Sequence, residues 1–211
     1  MNKQNKNALE INKEYSNNYV QKVIISKPEF IKDYLDDVSI EKIVDLGCGD
    51  GNFLKSVSKF FPNKKLYGTD ISDRRISGLK TQNPSFELNC GDICSTPYES
   101  SFFDFVNCEV VIEHVEDDKS LVSEIARILK PGKFLHISSV IKKRWAVYFY
   151  RNMYGKIALD PTHEREYRDK EEFLSLFEND FILKKVEIFH IRRLKLPVPG
   201  YFRIRAIFQK K

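Results

Sequence analysis

The sequence predicts an α/β fold, a mostly parallel sheet with helices on both faces, and three observations carry that prediction. A β-branched apolar run over residues 40–46 reads as a short buried strand bounded by turn residues. Glycines then stand at every second position, Gly47, Gly49 and Gly51. Behind them Phe53, Leu54, Val57, Phe60 and Phe61 recur at helical spacing. Strand, tight glycine turn and helix make the corner where an open α/β sheet holds a nucleotide. Glycine admits positive φ there and lets the backbone close on a ligand.

The elements follow in order. Residues 1–20 are polar and rich in Asn and Lys, and are expected as a loose arm or short helix from which Tyr15 and Tyr19 stand out. A helix is expected from Ser26, where Ser26-x-x-Glu29 reads as a capping box and Pro28 falls in the first turn. Phe30, Ile31, Tyr34, Leu35 and Val38 would share its buried face. Arm and helix, residues 1–39, precede a single domain over 40–211. Phe61-Pro62-Asn63 stops the glycine helix, and residues 65–69 form a second strand ending at Asp70, with Ser72 or Asp73 capping the next helix. Residues 86–89 are the third strand, followed by Gly91-Asp92-Ile93, and residues 102–108 are the fourth. A helix carrying Leu121, Val122, Ile125, Ile128 and Leu129 on one side stops at Lys130-Pro131-Gly132, and residues 134–138 are the fifth strand. Residues 142–154 are basic and aromatic, hold the one tryptophan, and place Trp145, Tyr148, Phe149 and Met153 on one helical face. A loop over 160–167 leads to a helix capped by Asp169-x-x-Glu172, and residues 182–191 and 201–208 supply the last two strands.

Glycine spacing narrows the ligand. A dinucleotide fingerprint needs a third glycine where Asn52 stands, and no Gly-Lys-Ser/Thr follows to make a phosphate loop. Asp45-x-Gly47-x-Gly49-x-Gly51 closely resembles the first motif of the class I S-adenosylmethionine (SAM)-dependent methyltransferases. Ile112-Glu113-His114-Val115-Glu116-Asp117, with Leu129-Lys130-Pro131-Gly132, resembles the type-11 methyltransferase group, which includes the ubiquinone-biosynthesis O-methyltransferases. The resemblance runs from residue 40 to residue 140. It implies a Rossmann-like sheet of seven strands with one antiparallel edge strand, S-adenosyl-L-methionine as cofactor and S-adenosyl-L-homocysteine as product. By the same resemblance Asp45, Gly47, Cys48 and Gly49 hold the cofactor at the first motif. Asp70 takes the ribose, where a carboxylate can accept both hydroxyls, with Ile71 beside it. Asp92 takes the adenine amino group, Ile93 lies against the ring, and Cys108 and Glu109 complete the set.

Methyl transfer from a sulfonium needs in-line placement, and removal of a proton when the nucleophile is neutral. His114 is the candidate base, with Glu113 beside it, because imidazole titrates near neutral pH and lies just past the fourth strand. The other role for this pair is structural, as a helix turn bonding local backbone. Residues 141–168 are expected to form a lid whose Trp145, Tyr148, His163 and Arg165 meet the acceptor. No metal is expected: some relatives carry an acid three residues before Glu-His, but here that position is Val110 and the acid is displaced to Glu109. His136 and His190 lie inside strand patterns as packing residues.

Composition sets the outer bounds. A chain of 211 residues makes one domain of ordinary size, without an apolar run of membrane-spanning length or a signal-peptide core near its start. Cys48, Cys90, Cys94 and Cys108 show no C-x-x-C spacing and read as reduced thiols, which points to the cytoplasm. Residues 1–138 carry 18 basic against 21 acidic residues, while residues 183–211 carry nine basic residues against Glu187 alone. The positive field therefore belongs to the last third, as a solvated face or as a site for an anionic acceptor. Asn107-Cys108-Glu109-Val110 is not the Asn/Asp-Pro-Pro-aromatic turn of base-amino methyltransferases, and no cysteine follows proline as C5-cytosine enzymes require. A small-molecule or carrier-linked acceptor is favoured, anionic or with an apolar ring, and O-methylation before N- or C-methylation. The alternative is a SAM-fold protein whose basic C-terminal third binds RNA or an anionic surface.

Overall fold

The structure, a computed structural model, describes residues 8–18, 22–142, 150–151, 157–158, 160, 162–191 and 201–211. Helix α1 (Ala8–Asn18) and the single turn α2 (Lys32–Leu35) precede β1 (Lys42–Leu46) and α3 (Asn52–Phe60). Then come β2 (Lys65–Asp70), α4 (Asp73–Gln82), β3 (Glu87–Cys90) and β4 (Phe103–Glu109). A 3-10 turn (Ile112–His114) leads to α5 (Asp118–Ile128), β5 (Leu129–Ile141), and a small ribbon of β6 (Tyr150–Arg151) and β7 (Ile157–Ala158). Helix α6 (Lys170–Ser175), β8 (Phe181–Ile191) and β9 (Tyr201–Lys210) close the chain. Side chains begin three of the helices: Ser72 accepts from the Arg75 N–H, Asp117 from Lys119 and Ser120, and Asp169 from Glu172.

Seven strands form one sheet in the order β3-β2-β1-β4-β5-β9-β8. Strands β1 to β5 pair in parallel, and β9 runs antiparallel between β5 and β8. The reversed strand expected at the edge thus lies one place in from it, with β8 outside. Strand order turns round between β1 and β4, the position at which open α/β sheets bind ligands.

Strand alternation sorts the core into two layers. Ile43, Leu66, Leu88, Phe105 and Ile207 pack with Leu54 and Val57 of α3, Ile76 and Leu79 of α4, and Phe30, Ile31 and Leu35. Val44, Leu46, Tyr67, Val106, Cys108, Ile137 and Phe208 face the other way, onto Leu121, Val122 and Ile125 of α5 and the aromatic group Phe173, Phe177 and Phe181. Among the described residues no helix is long and apolar enough to cross a membrane, and all four cysteines are free thiols.

Two local expectations fail. The helix expected from Ser26 shrinks to α2, because the Glu29 N–H that a capping box needs bonds Lys27 O, and Ile31 N–H bonds Pro28 O. Val38, assigned to the buried face, is 89% exposed. Packing of Phe30, Ile31 and Leu35 against the sheet decides the path there, not the cap. Tyr150 and Arg151 are strand, paired with Ala158 and Ile157, rather than part of a helix. Trp145, Tyr148, Phe149 and Met153 lie outside the described residues.

The glycine turn is held by geometry that a side chain would spoil. Gly47 sits at φ +78°, and its N–H and that of Cys48 both bond Thr69 O, at 2.7 and 3.1 Å. A Cβ there would meet Val111 Cγ2 at 2.4 Å. Gly51, also left-handed at φ +80°, is the N-cap of α3.

Gly47→Ala should therefore lower stability twice over, by about 1–2 kcal/mol for the left-handed backbone and by a further amount for overlap with Val111. Only the second part can be relieved by Val111→Ala. Urea unfolding of the two single variants and the pair should show the double variant less destabilised than the two losses added together.

Candidate active site

A cavity of about 1020 Å³ opens over the carboxyl ends of the strands on both sides of the switch point. One half is built on β1, β2 and β3. Asp70, at the end of β2, is 5% exposed; its Oδ2 accepts from Gly49 N–H at 2.8 Å and its Oδ1 from Ser72 N–H at 2.9 Å. Two fixed amides thus lock the carboxylate in place at the cavity wall. Asp92 accepts from Cys94 N–H at 2.8 Å, the short side-chain turn that its Gly-Asp-Ile context predisposes. Helix α1 covers this half with Leu9, Asn12, Tyr15 and Ser16. Its polar side chains reach both sides: Asn12 Nδ2 donates to His114 O at 2.6 Å, and Ser72 Oγ donates to Asn17 Oδ1 at 2.5 Å.

Beneath the cavity three polar residues lie side by side in three adjoining strands. Asp45, Asn107 and His136 are in register across β1, β4 and β5. Asn107 Nδ2 donates to Asp45 Oδ1 at 2.7 Å, which turns its own oxygen toward His136 Nδ1, also at 2.7 Å, and so places the histidine proton on that nitrogen. Burial lowers the His136 pKa to about 3, so the ring is neutral. Burial pushes the Asp45 carboxyl up to about 7; the Asn107 hydrogen bond opposes the shift, and Glu109 and Asp70 add repulsion to it.

The other half is built on β4, β5 and β9. Glu109 lines it under the field of Arg203 and Arg205. Val110 follows at φ +58°, a conformation that costs a β-branched residue about 1–3 kcal/mol, with its N–H bonded to Ser138 O at 3.1 Å. His114 then faces the cavity, its Nδ1 3.1 Å from Thr162 Oγ1 and 3.3 Å from Thr162 O. Because Thr162 Oγ1 itself donates to Asp160 Oδ1 at 2.6 Å, it accepts from His114. The protein packed around the His114 ring holds its pKa below the ordinary histidine value, against the pull of Glu113. His163 stands beside it, ring centroids 4.9 Å apart, with its Nδ1 2.9 Å from Glu166 Oε1. Val140 of β5 and Arg203 of β9, directly paired in the sheet, close the wall.

Of the residues singled out in the sequence, Asp45, Gly47, Cys48, Gly49, Asp70, Ile71, Asp92, Ile93, Glu109, His114 and His163 line this one cavity. Three do not. Cys108 is turned into the α5 layer by strand alternation, since its neighbours Asn107 and Glu109 take the cavity side. Glu113 is fully buried behind the wall and accepts from Ser139 Oγ at 2.9 Å. Arg165 ties two loops together through Glu116 O and Asp118 rather than reaching inward. Trp145 and Tyr148 are outside the described residues. Asn107, Val140, Asp160, Thr162 and Arg203 also line the cavity and were not singled out in the sequence. Alternation along the fourth strand signals Asn107; no local signal exists for Arg203, which depends on the register of β9.

Residues 44–137 match the family model described as a methyltransferase domain. This part of the chain is similar to methyltransferase domains. It is 29% identical over 112 residues to a ubiquinone biosynthesis O-methyltransferase of Coxiella burnetii, covering 51% of this chain and 47% of that protein. It is 28% identical over 96 residues to a trans-aconitate 2-methyltransferase of Variovorax paradoxus, covering 46% and 37%. The chain spans between 30% and 47% of the length of the curated relatives it matches. Among solved structures, the geranyl diphosphate C-methyltransferase of Streptomyces coelicolor A3(2) superposes with a TM-score of 0.72 at 13% identity, covering 98% of this chain and all of that one. The fold is therefore that of the methyltransferases, a family whose cofactor is SAM.

The cavity carries a pH signature. For Asp45 to pair with the ammonium of SAM, as the sequence resemblance implies for a cofactor-binding residue, its carboxyl, poised at about 7, must first lose its proton. S-adenosylhomocysteine affinity should fall as pH drops below about 7, approaching about tenfold per unit, and Asp45→Asn should flatten the profile. Calorimetry between pH 5.5 and 7.5 checks this; an unchanged slope in Asp45→Asn removes Asp45 from the cofactor site.

Proposed function

We propose that the chain transfers the methyl group of SAM to an oxygen of a small-molecule or carrier-linked acceptor that bears an anionic group. The observation that carries this reading is the composition of the cavity wall beyond β4, where two imidazoles and a guanidinium line one cavity. The glycine turn, Asp70 and Asp92 give the β1–β3 half to the cofactor. Strand β9 stands three strands from β1, about 14 Å across the sheet, so Arg203 belongs with the acceptor. Its Nε is buried and has no partner among the described residues, which favours a carboxylate or phosphate brought in by the acceptor. An apolar portion can rest on Val111 and Val140.

The reacting oxygen comes to the corner of His114 and His163, where its proton is drawn off as the sulfonium methyl is attacked. The C–S bond breaks with its electron pair going to sulfur, the C–O bond forms, and S-adenosylhomocysteine leaves. The reading in which the basic C-terminal third grips RNA has less support. Arg205 pairs with Glu187 at 2.7 Å, and Lys185, Lys210 and Lys211 donate to main-chain carbonyls, so much of this charge serves the fold.

Labelled SAM offered with hydroxylated carboxylates, phosphate-bearing alcohols and their neutral counterparts tests the proposal. Anionic oxygen acceptors should be methylated in preference. Arg203→Ala should raise their KM about 10- to 100-fold with cofactor affinity unchanged, and His114→Ala should lower kcat about 10²- to 10⁴-fold. Equal turnover of the neutral counterparts, or a product methylated on nitrogen or carbon, overturns it.

A further inference from the structure

We propose that Glu113, His114 and His163 bind one divalent transition-metal ion at the wall of the cavity, where it would hold the acceptor's oxygen. The metal chemistry rests on the acceptor reading above; the binding site does not. The sequence pointed away from a metal because Val110 stands where an acid would be needed. The fold supplies a different third ligand, His163, from a segment 49 residues downstream of His114 in the chain.

One ligand atom from each of the three residues lies within 4.8 Å of the other two. Bound atoms stand about 3.4 Å apart around a tetrahedral ion with ligands near 2.1 Å. Small side-chain rotations close that gap.

The hydrogen bonds around the cluster prepare it for a cation. His114 presents Nδ1 to Thr162, whose hydroxyl is already committed to Asp160, and His163 presents Nδ1 to Glu166. On both rings these contacts put a proton on Nδ1 and make Nε2 the atom that would meet the ion. Metal-bound histidines are held in this way, with the outer nitrogen donating to a carboxylate or carbonyl. The third residue gives an independent sign. Glu113 is fully buried; Ser139 satisfies Oε2, while Oε1 is buried with no partner among the described residues. An unpaired buried carboxylate oxygen is costly, and a cation beside it removes the cost. Two imidazoles and one carboxylate suit zinc, iron(II) or cobalt, and magnesium or calcium poorly. His114 and His163 both line the cavity, so the remaining coordination positions open toward the acceptor. With the ion bound, His114 and His163 act as ligands in place of drawing the proton off themselves, and the metal-bound hydroxyl gives its proton to water more readily, which prepares the oxygen for attack without a redox change.

The experiment uses the full chain stripped with a chelator and titrated with Co²⁺ and with Zn²⁺, in the absence of acceptor. One ion per chain is expected, with visible d–d bands of low-symmetry Co²⁺, displacement by Zn²⁺, and a rise in melting temperature. Glu113→Gln and His163→Gln should each weaken binding at least about tenfold, and Glu166→Gln should do so by about tenfold through the outer contact. Unchanged S-adenosylhomocysteine affinity in the variants certifies that they fold. No stoichiometric Co²⁺ or Zn²⁺ binding, or binding that all three variants retain, overturns the site. Binding as expected together with methylation of a non-oxygen acceptor leaves the site standing and overturns the acceptor reading alone.

Discussion

The hydrogen bond from Asn107 to Asp45, 2.7 Å long, crosses the sheet at the one seam where strand order reverses. Strands β1 and β4 are far apart in sequence and are brought together only by the sheet. Asp45 and Asn107 are the last pair in the register of these two strands, at the carboxyl ends where the cavity begins, and the side-chain bond reinforces that pair. His136 continues the row into β5 and, being neutral, does so without introducing a charge. The row fixes the floor shared by both halves of the site. It also explains how a nearly buried acid can stand at the cavity floor on the same face of the sheet as Phe105 and Ile43.

Above that floor the two halves are built by different means. The β1–β3 half is made of backbone: amides of Gly49 and Ser72 on Asp70, and amides of Gly47 and Cys48 on Thr69. The β4-β5-β9 half is made of side chains held by other side chains, His114 by Thr162 and Asp160, His163 by Glu166, and Glu113 by Ser139. A backbone-made site suits one ligand shared by a whole family. A side-chain-made site can change with the acceptor while the sheet stays the same. Helix α1 lies over both, bonded to His114 on one side and to Ser72 on the other.

The same division decides what could be read from the sequence. The glycine turn, Asp70 and Asp92 are local signals, each lying at a strand end that apolar patterning already marks, and each lines the cavity. Simple alternation along β4 assigns the cavity side to Asn107 and Glu109 and turns Cys108 away from it, against what the resemblance implies. The Ser26 capping box is a local pattern overruled by tertiary packing of Phe30 and Ile31. Val140 and Arg203 become neighbours only through the antiparallel register of β5 and β9, which no short window of sequence contains. The gathering of Glu113, His114 and His163 is of the same long-range kind.

The placement of β9 between β5 and β8 has a consequence for biosynthesis. A nascent chain that has emerged through β5 already holds every strand of the β1–β3 half. Yet the outer edge of β5 still bares its main-chain amides and carbonyls, with Leu135 and Ile137 beside them. That edge stays open until β8, the following connection and β9 have left the ribosome, because the covering strand comes after its own outer neighbour. During this interval the growing protein presents an unpaired apolar edge, the kind of surface that recruits stray strands. A cell making this protein must shield that edge, or translate the last third quickly enough to close it.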